Sequence, residues 1–358
     1  MKILILGGTG AMGVHLVKLL NNGHNDIYVT SRSYRKSSNN LTYLQGNALE
    51  DKFFISLIEN QWNVIIDFMV YSTGVFKCRV ELLLKASSQY IFLSTARVFA
   101  NSEMPILEKS FRLLDVSTDK YFLLTDEYSL IKARQEDLLQ KSMHKNWTII
   151  RPYITYGEHR LQLGVLEKED WLYRALKGRT IVFSKDIATK LSTLTYGLDV
   201  SKAISKIIGK EEALATEFNI TNDQSISWIE VLNIYLEVLE NYLGYRPKVL
   251  LQDLPDFLKH HTTKYQVIYD RLYDRKFNNS KISKIIKHKE FIEIEIGLKN
   301  CLIEFLKKPT YNLIDWRKEA IKDKTTGEFT SFKEIKKTKD ILRYLKYRFF
   351  KKNSIKNF

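Results

Sequence analysis

The sequence predicts a doubly wound parallel α/β sheet, followed by a smaller C-terminal domain and a basic tail. Short apolar stretches alternate with helical patterns along the first half of the chain, as a parallel sheet wrapped by helices requires. The first of them, Ile3–Leu6, runs straight into Gly7-Gly8-Thr9-Gly10-Ala11-Met12-Gly13, which reads as strand, tight turn and helix N-terminus. At 358 residues the chain can bury a large core in one big domain or two unequal ones.

In chain order, Lys2–Leu6 is the first strand. The helix after it, Ala11–Asn22, carries Val14, Val17 and Leu20 on its apolar face and stops at Gly23. Asp26–Thr30, Leu41–Gln45 and Asn63–Asp67 follow as strands, then a helix near Phe76–Ser87 and the strand Tyr90–Leu93. Asp126–Ser142 reads as a helix, and Trp147–Ile150 as the sixth strand, closed by Arg151-Pro152. Residues 153–195 are irregular, with a short helix around Glu169–Leu176. A helix from Asp199 to Gly209, a strand Glu217–Thr221 rejoining the sheet and a helix Ser227–Tyr242 come next. The pattern assigns residues 1–152 to a dinucleotide-binding domain, with 199–243 returning to it. Residues 153–198 and 244–308 form a substrate-binding region, and 309–358 a basic extension.

Composition narrows the class. Cys78 and Cys301 stand far apart, with no metal-ligand spacing around them, so neither a disulfide framework nor a zinc site is expected. His260-His261 lacks neighbouring carboxylates and reads as a surface pair. No apolar run approaches the ~18 residues of a membrane span. The apolar N-terminal stretch reads as a buried strand rather than a signal peptide, and a cytoplasmic location is the expectation. The formal charge is +15, and residues 331–358, with ten basic and two acidic side chains, hold +8 of it. The basicity therefore belongs to the tail. Its mixture of aromatics and cations from Ile341 to Lys352 suits an anionic membrane surface or a solvated, disordered segment, and suits nucleic acid less well. Either way, the tail from about Thr330 is expected to be dispensable for chemistry.

The chemistry rests on two motifs. The G-x-x-G-x-x-G spacing of Gly7, Gly10 and Gly13 lets the backbone turn tightly and approach a pyrophosphate; Thr9, Ala11 and Met12 complete the turn. The second strand ends in Thr30-Ser31-Arg32-Ser33, with no acid for a ribose 2′-hydroxyl. Ser31 and Arg32 instead offer donors to a 2′-phosphate, so NADP is the first choice of cofactor and NAD the second. Asn47, after the third strand, is placed for the adenine, and Met69 lies on the pocket wall. Downstream, Tyr128 and Lys132 stand four residues apart on one helix face. The ordinary tyrosine pKa of ~10 is too high for a proton shuttle, and an adjacent ammonium moves it toward the working range. Thr95 leaves a strand end, where it can hold the substrate oxygen that Tyr128 protonates.

With these motifs in this order, residues 1–285 resemble the extended short-chain dehydrogenase/reductase family, the sugar-nucleotide epimerases, reductases and dehydratases with a Rossmann domain. Gly7–Gly13, Thr95, Tyr128 and Lys132 match its glycine turn, Ser/Thr and Y-x-x-x-K. Arg151-Pro152 with Tyr156-Gly157, Leu198-Asp199 with Ala203, Phe218-Asn219-Ile220 and Asn279-Ser280-Lys281 look like its later elements. Ile154 replaces the family's asparagine after Arg-Pro, and Asn47 its more usual aspartate. Ala96-Arg97 stand where 4,6-dehydratases carry Asp-Glu, which argues against dehydration.

The resemblance implies a homodimer that binds a nucleotide sugar, with Pro152 and Lys132 also at the cofactor. Arg97 and Tyr153 are candidate substrate contacts. Arg271 and Arg275 are further candidates, as clamps on substrate phosphates or as members of a helical ion-pair ladder. The first reading of function is reduction of a 4-keto nucleotide sugar by NADPH, a dTDP-4-keto-6-deoxyhexose being one such substrate. The second is 4-epimerisation on the same residues, and a cofactor-sensing or scaffold protein without turnover is the non-enzymatic alternative.

Overall fold

A computed structural model describes residues 1–259, 263–287 and 290–350; His260-His261 lie outside them. The chain forms two compact units.

The first unit (residues 1–157, 193–225 and 275–294) holds a seven-stranded parallel sheet. Its strands are β1 (Lys2–Leu6), β2 (Asp26–Ser31), β3 (Leu41–Gln45), β4 (Trp62–Asp67), β5 (Ser87–Leu93), β6 (Trp147–Pro152) and the late strand Thr216–Ile220. Their order across the sheet is Thr216–Ile220, β6, β5, β4, β1, β2, β3, so the path reverses beside β1, where open α/β sheets build their ligand crevice. The central strands are aliphatic on both faces, because helices cover both. One layer packs Ile3, Ile5, Leu16, Val17, Ile66 and Ile204 together, and the other Leu4, Leu6, Phe76, Val80, Ile65 and Phe92.

Each strand predicted for this sheet is present and parallel. β6 runs two residues further than expected before it ends, with Arg151 and Pro152 paired opposite Asn219 and Ile220. The first helix, α1 (Gly13–Leu20), buries Gly13, Leu16, Val17 and Leu20, and turns Val14 outward at 42% exposure, against the expectation for that residue. The helices α2 (Asp51–Ile58) and α3 (Thr73–Lys85) complete the cover near β3 and β4; Ser72 caps α3 by accepting from Val75 N–H at 3.3 Å. Asp51–Ile58 was not legible, because it follows a strand of mixed polarity and offers only two fully buried side chains, Phe54 and Leu57.

The second unit contains the short parallel pair Ile181–Ser184 and Val249–Gln252, and the helices Trp228–Leu243, Ile294–Lys307 and Trp316–Thr326. Ser227 and Glu230 form a capping box on the Trp228–Leu243 helix, and Gly244 ends it in the left-handed region. That helix falls in this unit rather than returning with its strand, while residues 275–294 fall in the first.

The separate extension drawn from residue 309 is corrected. Tyr173 packs with Trp316, Ala320, Ile335 and Tyr344 in one apolar cluster. Around it Arg174, wholly buried, donates to Glu319 (2.9 Å), Asp323 (2.8 Å) and Glu328 (2.9 Å). Arg179 reaches Thr330 at 2.7 Å and Glu334 at 3.1–3.2 Å. Tyr344 donates to Asp323 at 2.7 Å and accepts from Thr330 N–H at 2.9 Å. The acids that pair with these arginines lie some 150 residues downstream of them, so a count of local charge does not reveal the contact.

Candidate active site

The glycine turn does three different jobs. Gly7 sits at φ +71°, a conformation glycine adopts freely, and its N–H donates to Thr30 Oγ1 at 3.0 Å. A Cβ on Gly13 would stand 2.6 Å from the Gly8 carbonyl, so only glycine lets α1 start this close to β1. Gly10 has open space around its missing Cβ and faces a cleft of about 290 Å3. Thr9, Thr30, Ser31, Arg32, Asn47, Phe68 and Met69 line the same cleft, and none of its walls is a carboxylate. Ala11 and Met12 hold the turn from behind: Ser201 Oγ donates to the Met12 carbonyl at 2.8 Å, and Gly197 lies against the Ala11 carbonyl. A narrow, anion-tolerant trough of backbone at a helix N-terminus fits a dinucleotide pyrophosphate.

Toward the β2 end, Arg32 is exposed at the rim, while the Ser31 hydroxyl is already spent on the Ser33 carbonyl at 2.7 Å. Asn47 caps its own loop, accepting from Leu49 N–H at 3.2 Å and donating to Glu50 at 3.3 Å.

Thr95 follows β5 and begins a single helical turn, Ala96–Val98, whose Arg97 N–H it accepts at 3.2 Å. Accepting that bond leaves its O–H proton free to donate. Tyr128 opens the helix Tyr128–Lys141, capped by Glu127, which accepts from Ser129 N–H at 2.6 Å. The other oxygen of Glu127 takes Arg97 at 2.5 Å, and that guanidinium lies 5.6 Å from the centre of the Tyr128 ring. Arg97 thus ties the turn after Thr95 to the start of the tyrosine helix.

Lys132, one helical turn on, is buried and donates to the Met69 carbonyl at 3.3 Å, with its Nζ 4.3 Å from the centre of the Phe92 ring. Because Met69 lines the cleft, this bond ties the lysine to the backbone of the cleft wall. Burial pushes the ammonium down to about 8, with Asp67 and Glu136 opposing the shift. Asp67, at the end of β4, is itself wholly buried. Burial raises its carboxyl, against bonds from Met69 N–H (2.8 Å) and Tyr90 O–H (2.8 Å) and the charge of Lys132. Glu136, a turn beyond Lys132, accepts twice from Arg151 at 2.8 Å and once from Ser94 at 2.5 Å, and Arg151 also donates to the Glu108 carbonyl at 2.9 Å. This network fixes the ends of β5 and β6 to the tyrosine helix.

Sequence reasoning missed Asp67 and Glu136. An acid ending the aliphatic run Val64-Ile65-Ile66, and a glutamate four residues after Lys132, were the available signals.

The remaining candidates are placed differently. Pro152 ends β6, and Tyr153 behind it is buried against Phe277, ring centres 5.2 Å apart. Ile154 occupies φ +36°, where a β-branched residue is strained and asparagine is at ease. Arg275 is wholly buried and donates to the Phe99 and Ala100 carbonyls at 3.0 and 2.9 Å, bracing the loop behind Thr95. Arg271, in the other unit, donates to the Gly164 carbonyl at 3.0 Å and pairs with Asp270. Both are buried on protein partners, which speaks against the phosphate clamp, while the Arg271–Asp270 pair agrees with part of the ion-pair ladder. Among the described residues no cluster of three or more His, Cys, Asp or Glu side chains could hold a metal ion, and no helix is long and apolar enough to cross a membrane.

No family model matches the chain. A curated relative, the chloroplast stem-loop binding protein of 41 kDa b of Arabidopsis thaliana, is 25% identical over 245 residues; these span 63% of this chain and 60% of the relative. Solved structures are similar over greater lengths. WbmH of Bordetella bronchiseptica, in complex with NAD+, superposes with a TM-score of 0.67 at 14% identity, covering 86% of this chain and 99% of that one. UDP-glucuronic acid 4-epimerase of Bacillus cereus, in complex with UDP-glucuronic acid and NAD, gives 0.65 at 16%, covering 87% and 100%. dTDP-glucose 4,6-dehydratase of Bacillus anthracis, in complex with NAD, gives 0.64 at 17%, covering 86% and 97%. At these identities the likeness establishes the fold alone, a Rossmann-like parallel α/β sheet with flanking helices.

Proposed function

We propose that the protein is a nicotinamide-dependent enzyme acting on a sugar nucleotide, and that 4-epimerisation fits it better than net reduction. The observation that carries this reading is the bond from Lys132 to the Met69 carbonyl, which joins the tyrosine helix to the glycine-lined cleft. Gly7–Gly13 would hold the pyrophosphate of the dinucleotide, with Met69, Lys132 and Pro152 toward its nicotinamide end. Once bound, a nicotinamide supplies a hydride acceptor and donor. The chain's own residues move and steady the proton: Tyr128 exchanges it with the sugar hydroxyl, Thr95 holds that oxygen, and Lys132 favours the phenolate.

NADPH reduction, the first reading from sequence, leaned on Ser31 and Arg32. The Ser31 hydroxyl is internally bonded and Arg32 stands at the rim, while the similar structures described above hold NAD. NAD is therefore the preferred cofactor. Ala96 and Arg97 stand where dehydration would call for an acid pair, which keeps that reaction out of the proposal. A homodimer in the cytoplasm completes the proposal.

Incubation with NAD and with NADPH, across a panel of keto and non-keto nucleotide sugars, separates the reactions. Epimerisation forms product without net loss of cofactor, and reduction consumes it one for one. Tyr128→Phe should cost ~10²–10⁴ in rate while leaving cofactor binding nearly intact; a near-normal rate removes Tyr128 from the mechanism. Arg32→Asp should weaken NADP by roughly ten- to a hundredfold and spare NAD. If NADP binding is unmoved in a titration, Arg32 is only a surface cation.

A further inference from the structure

The solved structures leave part of this chain unmatched. They are covered over 97–100% of their length by 86–87% of it, which leaves over about one-seventh of its residues. The C-terminal segment has a surface of its own: it is anchored from within by Tyr344 and Asp323, so its outer surface is presented by a folded support. The helix Thr338–Leu345 turns Tyr344 inward, and Lys339, Leu342, Arg343 and Lys346 recur at the spacing of a single helix face. All four are exposed, Leu342 at 64%, and Phe350 beyond them at 82%. Lys336 and Lys337 flank the face and are exposed as well. Of the two acids of residues 331–350, Glu334 is turned to Arg179 and Tyr173, and Asp340 offsets Arg343 alone, so the lysines carry the net charge of the face.

We propose that this C-terminal helix is a docking surface for an anionic membrane, with its lysines on lipid headgroups and Leu342 and Phe350 at the interface. Cations with exposed apolar side chains on one amphipathic face are what an anionic interface rewards. The cations are mostly lysines, compact charges without the planar fork that reads nucleic-acid phosphates and bases. Attachment at one face would hold the enzyme body at the membrane without any spanning segment.

The test is sedimentation of the full-length protein with phosphatidylglycerol-containing vesicles and with pure phosphatidylcholine vesicles, at low and high salt. Binding should require the anionic lipid and fall with salt. Lys336→Gln/Lys339→Gln/Lys346→Gln should weaken it about fivefold per charge, on the order of a hundredfold in all. Leu342→Ser/Phe350→Ser, which retains every charge, should weaken what binding survives at high salt. All five positions are exposed, so thermal unfolding should match wild type. Equal binding to both vesicle types, or anionic binding indifferent to both variants, overturns the proposal. So does a result in which the lysines govern retention on an RNA hairpin and not on vesicles.

Discussion

Lys132 is the residue on which the proposed chemistry turns, and its environment makes a prediction with a definite sign. Burial lowers the ammonium from its ordinary 10.5 to about 8, so the cost of burying its charge is absent above 10.5 and fully present below about 8. Raising pH through 8 discharges it, and turnover that relies on its charge should fall on that alkaline side. Asp67 opposes the shift from β4, Glu136 from the lysine's own helix, and Glu136 is already saturated by Arg151. Asp67→Asn should therefore lower the Lys132 titration further and bring the alkaline loss to lower pH. Selective lysine 13Cε NMR, with Lys132→Met to assign the resonance, reads this without any substrate; an unchanged midpoint would remove Asp67 from the account. The placement of Tyr128 and Lys132 one turn apart on a helix, and of Thr95 at a strand end, was legible because spacing and strand-end position encode it directly. Asp67, Glu136 and the Arg97–Glu127 pair were not, since each partnership crosses between elements.

The main sheet was legible strand by strand, because aliphatic runs between glycines and helix caps have few alternative uses. The helices Asp51–Ile58 and Ile294–Lys307 were not, and the C-terminal helices were masked by their own charge. The packing of these last elements reverses the expectation that the tail is dispensable. Deleting residues 331–358 removes Tyr344 from Asp323 and Glu334 from Arg179, and opens the apolar cluster around Tyr173 and Trp316. Losing the partners of buried charges costs about 3–5 kcal/mol, a large share of a domain's stability. The truncated protein should aggregate or melt well below wild type in differential scanning fluorimetry. A truncated protein with the wild-type melting temperature would mean that these pairs contribute nothing. The milder Tyr344→Phe, which deletes one hydroxyl and keeps the ring, should cost about 1–2 kcal/mol.

At the scale of the whole chain, the two units carry buried charge of opposite consequence under acid. In the second, burial works against Asp323, yet Arg174, Thr330 and Tyr344 together hold its carboxyl below the usual range; Glu328 is likewise held low by Thr180, Thr326 and Arg174 against its burial. Carboxyls depressed in the folded state add stability that is present above their unfolded values and is lost as pH falls through the folded ones. In the first unit Asp67 is raised, so protonating it under acid favours the folded state, and that unit has no corresponding loss from this group. Acid below about pH 4 should thus loosen the second unit before the first. The tryptophans can report them apart: Trp62 and Trp147 lie in the first unit, and Trp171, Trp228 and Trp316 in the second. In variants keeping only Trp147 or only Trp316, with the others changed to Phe, the Trp316 emission should shift red at a higher pH than that of Trp147. Asp323→Asn should move the Trp316 transition and leave that of Trp147 in place. Coincident transitions in both variants would show that the ion network around Arg174 does not set the acid limit of its unit.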